Sequence, residues 1–371
     1  MHSTGAHSTK RILGYDVLRV VSIVAVVATH VLMVYRGTPD QNDITAALDD
    51  LLHFAVPAFF FVSGALVWGG YRGRGLRDYV SFLHKRASVV LGPYLVWSAL
   101  YLLIDVFRGD RLYWLSNSPL LLLTGQFWYH LYFVPVLILF YLLTPLVAPV
   151  VRHRPELLVL VAFLARILLR IPVADLSARL GGPLMVTFAV VAMTHLSNMA
   201  LGAWFFVRKD HVLPVLRIGW PALLASGSAL LLAGGASLVP SSLPDVAVRA
   251  VVPLAMTLIV LGMVGLAFRV RLNTAHTDRI RRFSGLAFGV YLVHPVFVLA
   301  LNEAVVTAGA EALWRSAWFP ATVTVAITAA SFAACGVLAG TPATAWIVGC
   351  RCMRRVVALP ASVSDSQRRA A

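Results

Sequence analysis

Apolar residues recur along the chain in ten blocks separated by short polar or basic segments. They fall at residues 14–35, 49–70, 86–107, 128–151, 157–173, 183–207, 218–239, 249–268, 283–302 and 317–340. About 20 apolar residues in helical form cross a bilayer core of about 30 Å. The pattern therefore predicts an all-α, polytopic bundle of about ten transmembrane helices, the fifth of them short.

The segments between these blocks divide by charge. One alternating set holds Lys10, Arg11, Arg72, Arg74, Arg77, Lys85 and Arg86, then Arg152, Arg154, Arg208, Lys209 and Arg217. It continues with Arg269, Arg271, Arg279, Arg281 and Arg282 and ends in a basic tail, for 22 of the 31 basic residues. The other set (36–48, 108–127, 174–182, 240–248 and 303–316) is poorer in Lys and Arg. Basic residues collect in cytoplasmic loops, so both termini are expected in the cytoplasm of a multi-pass plasma-membrane protein. The expected organisation is a cytoplasmic tail at 1–13, one transmembrane domain at 14–340 and a partly disordered cytoplasmic tail at 341–371.

Composition agrees. The chain is 59% hydrophobic and 13% charged, with a mean hydropathy of +0.82. Its net charge of +15 follows from the loops, so it argues topology and not a nucleic-acid partner. Cys335, Cys350 and Cys352 come late, with neither disulfide nor zinc spacing. The first block is expected to remain as a span, being too long and too interrupted by charge for a cleaved signal peptide. Residues 108–127 suit an interfacial helix, and the basic segment 269–282 suits contact with anionic lipid.

The chemistry lies in the first span. Arg19 and His30 are eleven residues apart, about 1100° of rotation, so they share one helix face. Asp16 falls within about 40° of that stripe and can pair with Arg19. Ionisable groups at this depth face a bundle interior and mark a functional path. The rise from Arg19 to His30 is about 16 Å. A cation thus stands near one surface and a titratable imidazole deeper in the bundle. An imidazole of this kind can act as a general base or as a nucleophile.

Several runs, in order, resemble the integral membrane acyltransferases of acyltransferase family 3. They are Asp16 with Arg19-x10-His30, then Phe54-Ala-Val-Pro57-Ala-Phe-Phe-Phe-Val-Ser63-Gly64. Next come Lys85-Arg86 with Pro93-Tyr94 and Trp97-Ser98, and Trp128-Tyr129 with Leu139-Phe-Tyr141 and Pro145. Last is Phe288-Gly-Val-Tyr291-Leu-Val-His294-Pro295. The resemblance covers nearly all of 11–340. Val89 stands where the family often has a second arginine, and Ala287 where Ser or Thr is common.

The resemblance implies transfer of an acetyl or other short acyl group from acyl-CoA to a sugar hydroxyl. The acceptor would be a cell-envelope glycan, its lipid-linked precursor or a glycosylated small molecule. No bound cofactor is implied; acyl-CoA is a substrate. On this reading His30 activates the acceptor, Arg19 positions the donor and is held by Asp16, and Lys85 and Arg86 hold CoA phosphate. His294, Tyr291 and Trp128 are candidate acceptor contacts, Trp128 as a stacking platform. Arg166 and Arg170 are candidate grips for an anionic acceptor, or partners of Asp175. Ser63 and Gly64 allow close helix approach, and His53 and His195 read as satisfied core or interface histidines. No metal cluster, phosphate-cradling glycine loop or Gly-x-Ser-x-Gly elbow is present in the sequence. The competing class is an exporter of a glycan or lipid-linked sugar, which calls for wide polar cavities and internal repeats. The chain shows no clear repeat. Oligomeric state is not readable from the sequence.

Overall fold

The computed structural model describes residues 12–35, 43–71, 73, 75–109, 111–235, 245–316 and 318–350. The N-terminal basic pair, Arg72, Arg74, most of the loops near 40 and 240, and the tail with Cys352 lie outside them. The described residues are helical, with no strand among them. The helices are α1 (Leu13–Leu32), α2 (Asp43–Leu52), α3 (Ala55–Gly70), α4 (Leu76–Arg108), α5 (Arg111–Thr124) and α6 (Phe133–His153). They continue with α7 (Pro155–Leu168), α8 (Arg170–Gly235), α9 (Asp245–Ala267), α10 (Thr274–Thr307) and α11 (Phe319–Leu338).

Among the described residues, eight stretches are long and apolar enough to cross a membrane. The difference from ten has two causes. The expected fifth span is α7, only 14 residues long, too short to cross a bilayer core of about 30 Å unaided. The expected sixth and seventh spans are one apolar helical stretch of 53 residues, Gly182–Gly234. Laid straight it would reach about 80 Å, more than twice the core thickness. It bends instead. The Phe205 ring packs 5.6 Å from that of Phe268, and Arg217 Nε donates to the Phe268 carbonyl at 3.1 Å. Two positions twelve residues apart thus meet one residue, and Leu216, Leu224, Ile259-facing Gly227 and Gly234 run antiparallel along α9. Hydropathy registers two apolar blocks but is blind to whether the basic link between them stays helical.

Two other expectations meet helix. The stretch 108–127 contains α5, packed on α4 and α8. The second half of 269–282 is already α10, capped by Asn273, whose side chain accepts the His276 amide at 2.9 Å. Glu156 and Arg208 tie α7 to α8 through two hydrogen bonds of 2.6 and 3.2 Å. The guanidinium holds the Glu156 carboxyl down to about 2.

The core of the bundle is built on α1, which packs against α3, α9, α10 and α11. Lipid tails are as apolar as leucine, so close backbone approach, not hydrophobicity, fixes such contacts. Gly64 and Gly202 supply it between α3 and α8. A Cβ on Gly64 would lie 2.1 Å from the Met199 carbonyl oxygen, and one on Gly202 1.9 Å from that of Phe61. Across the core from this contact, α1, α3, α4, α6 and α10 enclose a cavity.

Candidate active site

The cavity has a volume of about 290 Å³. One group of its walls is cationic and polar, with Arg19, Lys85, Arg86 and Ser284; another holds His30, His130 and Tyr291. The helical stripe on α1 explains the span between them. Arg19 and His30 face the same way and are separated by a rise of about 16 Å, and α3, α4 and α10 close around that face. Ser63, beside the close-packed Gly64, also faces in.

At the imidazole end, His30 Nδ1 lies 2.6 Å from His294 Nε2, with the rings 2° from parallel. His294 is fully buried, and its Nδ1 lies 2.9 Å from the Val290 carbonyl. A carbonyl only accepts, so His294 Nδ1 carries the hydrogen and its Nε2 keeps a lone pair. His30 Nδ1 must then donate to that lone pair. The chain of bonds leaves His30 Nε2 as the unprotonated nitrogen, the lone pair a general base requires. Two helices far apart in sequence thus set one tautomer.

At the other end, Arg86 Nη2 donates to the Leu66 carbonyl at 3.1 Å, and its guanidinium stands 5.7 Å from the centre of the Phe82 ring. Gly70 leaves room for it, since a Cβ there would come within 2.9 Å of Nη2. Lys85 is exposed at the cavity margin. Asp16 lies behind the wall. It is buried, and its Oδ1 accepts from Ser284 Oγ at 2.6 Å, tying α1 to α10. A hydrogen bond to a charged group is worth about 1.5–3 kcal/mol. Ser284→Ala is therefore expected to lower stability by about that amount, read as a lower thermal midpoint in detergent. An unchanged midpoint would show that the tie contributes nothing.

The structure brings Arg19, His30, Lys85, Arg86 and Tyr291 to one cavity, with His294 bonded to His30. Other candidates stand elsewhere. The Trp128 indole N–H donates to Asp105 Oδ2 at 3.0 Å and its ring stacks on Tyr101 at 4.5 Å, off the cavity wall. Arg166 belongs to α7, which packs on α6, α8 and α9 and does not line the cavity. The side chains of Arg170 and Asp175 are outside the described residues. His195 is buried between the rings of Phe60 and Tyr132, at 4.3 and 5.7 Å. His53, in the turn after α2, lies 3.5 Å from the carboxylate of Asp49 in that helix.

One site residue escaped the sequence reading. His130, next to the Trp128-Tyr129 pair, is 2% exposed and lines the cavity. Its ring centre is 5.8 Å from His294 and 6.4 Å from His30. The available signal was its position in an aromatic run at the mouth of an apolar block. It stands in the turn before α6 and not on a helix, so helical phase links it to no charged partner as it links His30 to Arg19. Among the described residues no group of three His, Cys, Asp or Glu side chains is placed to hold a metal ion.

The chain matches the family model described as an acyltransferase domain over residues 12–340 of its 371. It belongs to acyltransferase family 3. Neither a curated protein nor a solved structure was found to match it. With its eight apolar membrane-length helices, this acyltransferase is a multi-pass membrane protein. The matched span includes every helix that builds the cavity.

Proposed function

We propose that the protein transfers an acetyl or other short acyl group from acyl-CoA to a hydroxyl of a sugar. The sugar belongs to a cell-envelope glycan, its lipid-linked precursor or a glycosylated small molecule, and the reaction runs in the plasma membrane. The observation that carries this reading is a single cavity joining three cations to a base whose reactive nitrogen is fixed. Phosphate groups of the donor are recognised by guanidinium and ammonium groups, and Arg19, Lys85 and Arg86 provide them. The flexible pantetheine arm is comparable in length to the Arg19–His30 rise, so the thioester reaches the imidazole end.

The step then balances simply. His30 Nε2 takes the proton of the acceptor hydroxyl as its oxygen attacks the thioester carbonyl carbon. The tetrahedral intermediate collapses, the C–S bond breaks, and the CoA thiolate leaves with the proton from the imidazolium. An ester and free CoA thiol result. His294 holds the charged His30 through the same short hydrogen bond that sets its tautomer.

Membranes carrying the overexpressed protein, given radiolabelled acetyl-CoA, are expected to move label into a glycan or glycosylated product. Membranes without it are not. Label that stays on the denatured protein would replace the general-base step with a covalent acyl-imidazole, and no transfer at all would end the acyl-CoA reading. Arg19→Lys is expected to raise KM for acetyl-CoA at least tenfold, since an ammonium lacks the planar fork of the guanidinium. Wild-type kinetics in that variant would remove Arg19 from donor binding.

A further inference from the structure

His130 differs from the other histidines around the cavity. His294 is satisfied by Val290 and His30, while both ring nitrogens of His130 are shut off from solvent without a hydrogen-bond partner among the described residues. The Tyr291 hydroxyl is also shut off from solvent, near the Phe133 backbone but without a hydrogen bond of normal geometry. The two rings are 5.2 Å apart, and both residues line the cavity beside His30. Buried polar groups are normally paired within the protein. Two adjacent orphans facing one cavity indicate a partner that arrives with the substrate.

Their position limits what that partner is. His130 is walled by aromatic rings, with Tyr101 at 5.2 Å and Tyr129 at 5.4 Å, and no carboxylate belongs to the cavity wall. A neutral imidazole carries one N–H in either tautomer, and a tyrosine hydroxyl can donate. An arriving group that accepts hydrogen bonds can therefore be held by both at once. A reacting atom about 3 Å from both a base and a donor needs those two groups about 6 Å apart or less. The ring centres of His30 and His130 are 6.4 Å apart.

We propose that His130 and Tyr291 form the oxyanion-binding pair of the transfer, donating to the thioester carbonyl oxygen as it becomes negatively charged. This rests on the reading of the cavity as an acyl-CoA site. As the acceptor oxygen adds to the carbonyl carbon, the C=O electron pair moves onto oxygen, between the His130 and Tyr291 donors. It returns when the C–S bond breaks. His30 handles the proton, and His130 and Tyr291 hold the charge, so the acid limb of the rate belongs to His30 and persists when His130 is replaced. Enclosure by aromatic rings keeps water from competing for the donors, which strengthens their effect on the developing charge.

The test compares His130→Phe, which fills the space without a donor, with His130→Gln, which keeps an amide N–H. Transfer of label from acetyl-CoA is followed in membranes of the producing cells. His130→Phe is expected to lose about 10²–10³ in kcat, the usual effect of removing one such donor, with KM for acetyl-CoA within about threefold of wild type. His130→Gln is expected to recover at least tenfold of that loss. Acetyl-CoA should still raise the thermal midpoint of purified His130→Phe, showing an assembled cavity. Three results would each overturn the proposal: His130→Phe keeping a third or more of wild-type kcat, a loss confined to KM, or Gln no better than Phe. Failure of His130→Phe to bind acetyl-CoA would overturn it too, because a group acting on developing charge leaves ground-state binding intact. If instead the wild type moves no label, the acyl-CoA reading of the cavity falls and takes this pair with it.

Discussion

His30→Gln is expected to lower kcat for acyl transfer by about 10²–10⁴-fold, the range for removing a general base, with a much smaller effect on KM for acetyl-CoA. The size of the effect follows from the hydrogen-bond chain. Val290 fixes the His294 tautomer, His294 fixes that of His30, and Nε2 is left as the only unprotonated nitrogen of His30. Glutamine retains a hydrogen-bonding group but has no nitrogen that accepts a proton near neutrality. The wild-type rate should also fall as pH drops, since a protonated Nε2 cannot take the acceptor's proton. That acid limb should be missing from the residual activity of the variant. His30→Gln with wild-type kcat, or with the acid limb intact, would show that the imidazole is not the base.

Gly64→Ala should remove most of the folded protein although it adds one methyl group. Its Cβ would stand 2.1 Å from the Met199 carbonyl oxygen, and the obstructing atom is backbone in the middle of α8. A side chain could rotate away; a packed helix has to translate. Overpacking of this kind costs about 1–3 kcal/mol even where neighbours can yield, so the cost here is expected at or above that range. The measurement is monodisperse yield and thermal midpoint in detergent. Gly336→Ala is the matched control, because no atom lies within 4 Å of a Cβ there. Alanine at a helical glycine gains up to about 1 kcal/mol in propensity, so that midpoint should hold or rise. Equal behaviour of the two variants would mean that α3 and α8 do not meet as described.

The two predictions depend on different kinds of information. The placement of Arg19 and His30 on one face was legible in the sequence, because helical periodicity relates residues on one helix whatever surrounds it. Arg19 and His30 are in phase by arithmetic alone. The glycine contact was legible as a possibility from Ser63-Gly64, but the facing atom, Met199, was not. The same limit hid His130. An uncharged ring in an aromatic run gives no period and no charge to detect, and its meaning comes from rings contributed by α1, α4 and α10.

By itself, then, the sequence determined an all-helical membrane bundle, the polar stripe on its first helix and the family to which it belongs. The first two follow from transfer free energy and from a fixed 100° per residue, both local properties of the chain; the third follows from the order of motifs along it. Tertiary structure alone decided that His294 lies against His30, that Asp16 accepts from Ser284, that two apolar blocks lie in one helix and that His130 faces the cavity. Each depends on which helices touch. In lipid that is settled by close backbone approach and a few polar contacts between distant segments, and hydropathy carries no record of either.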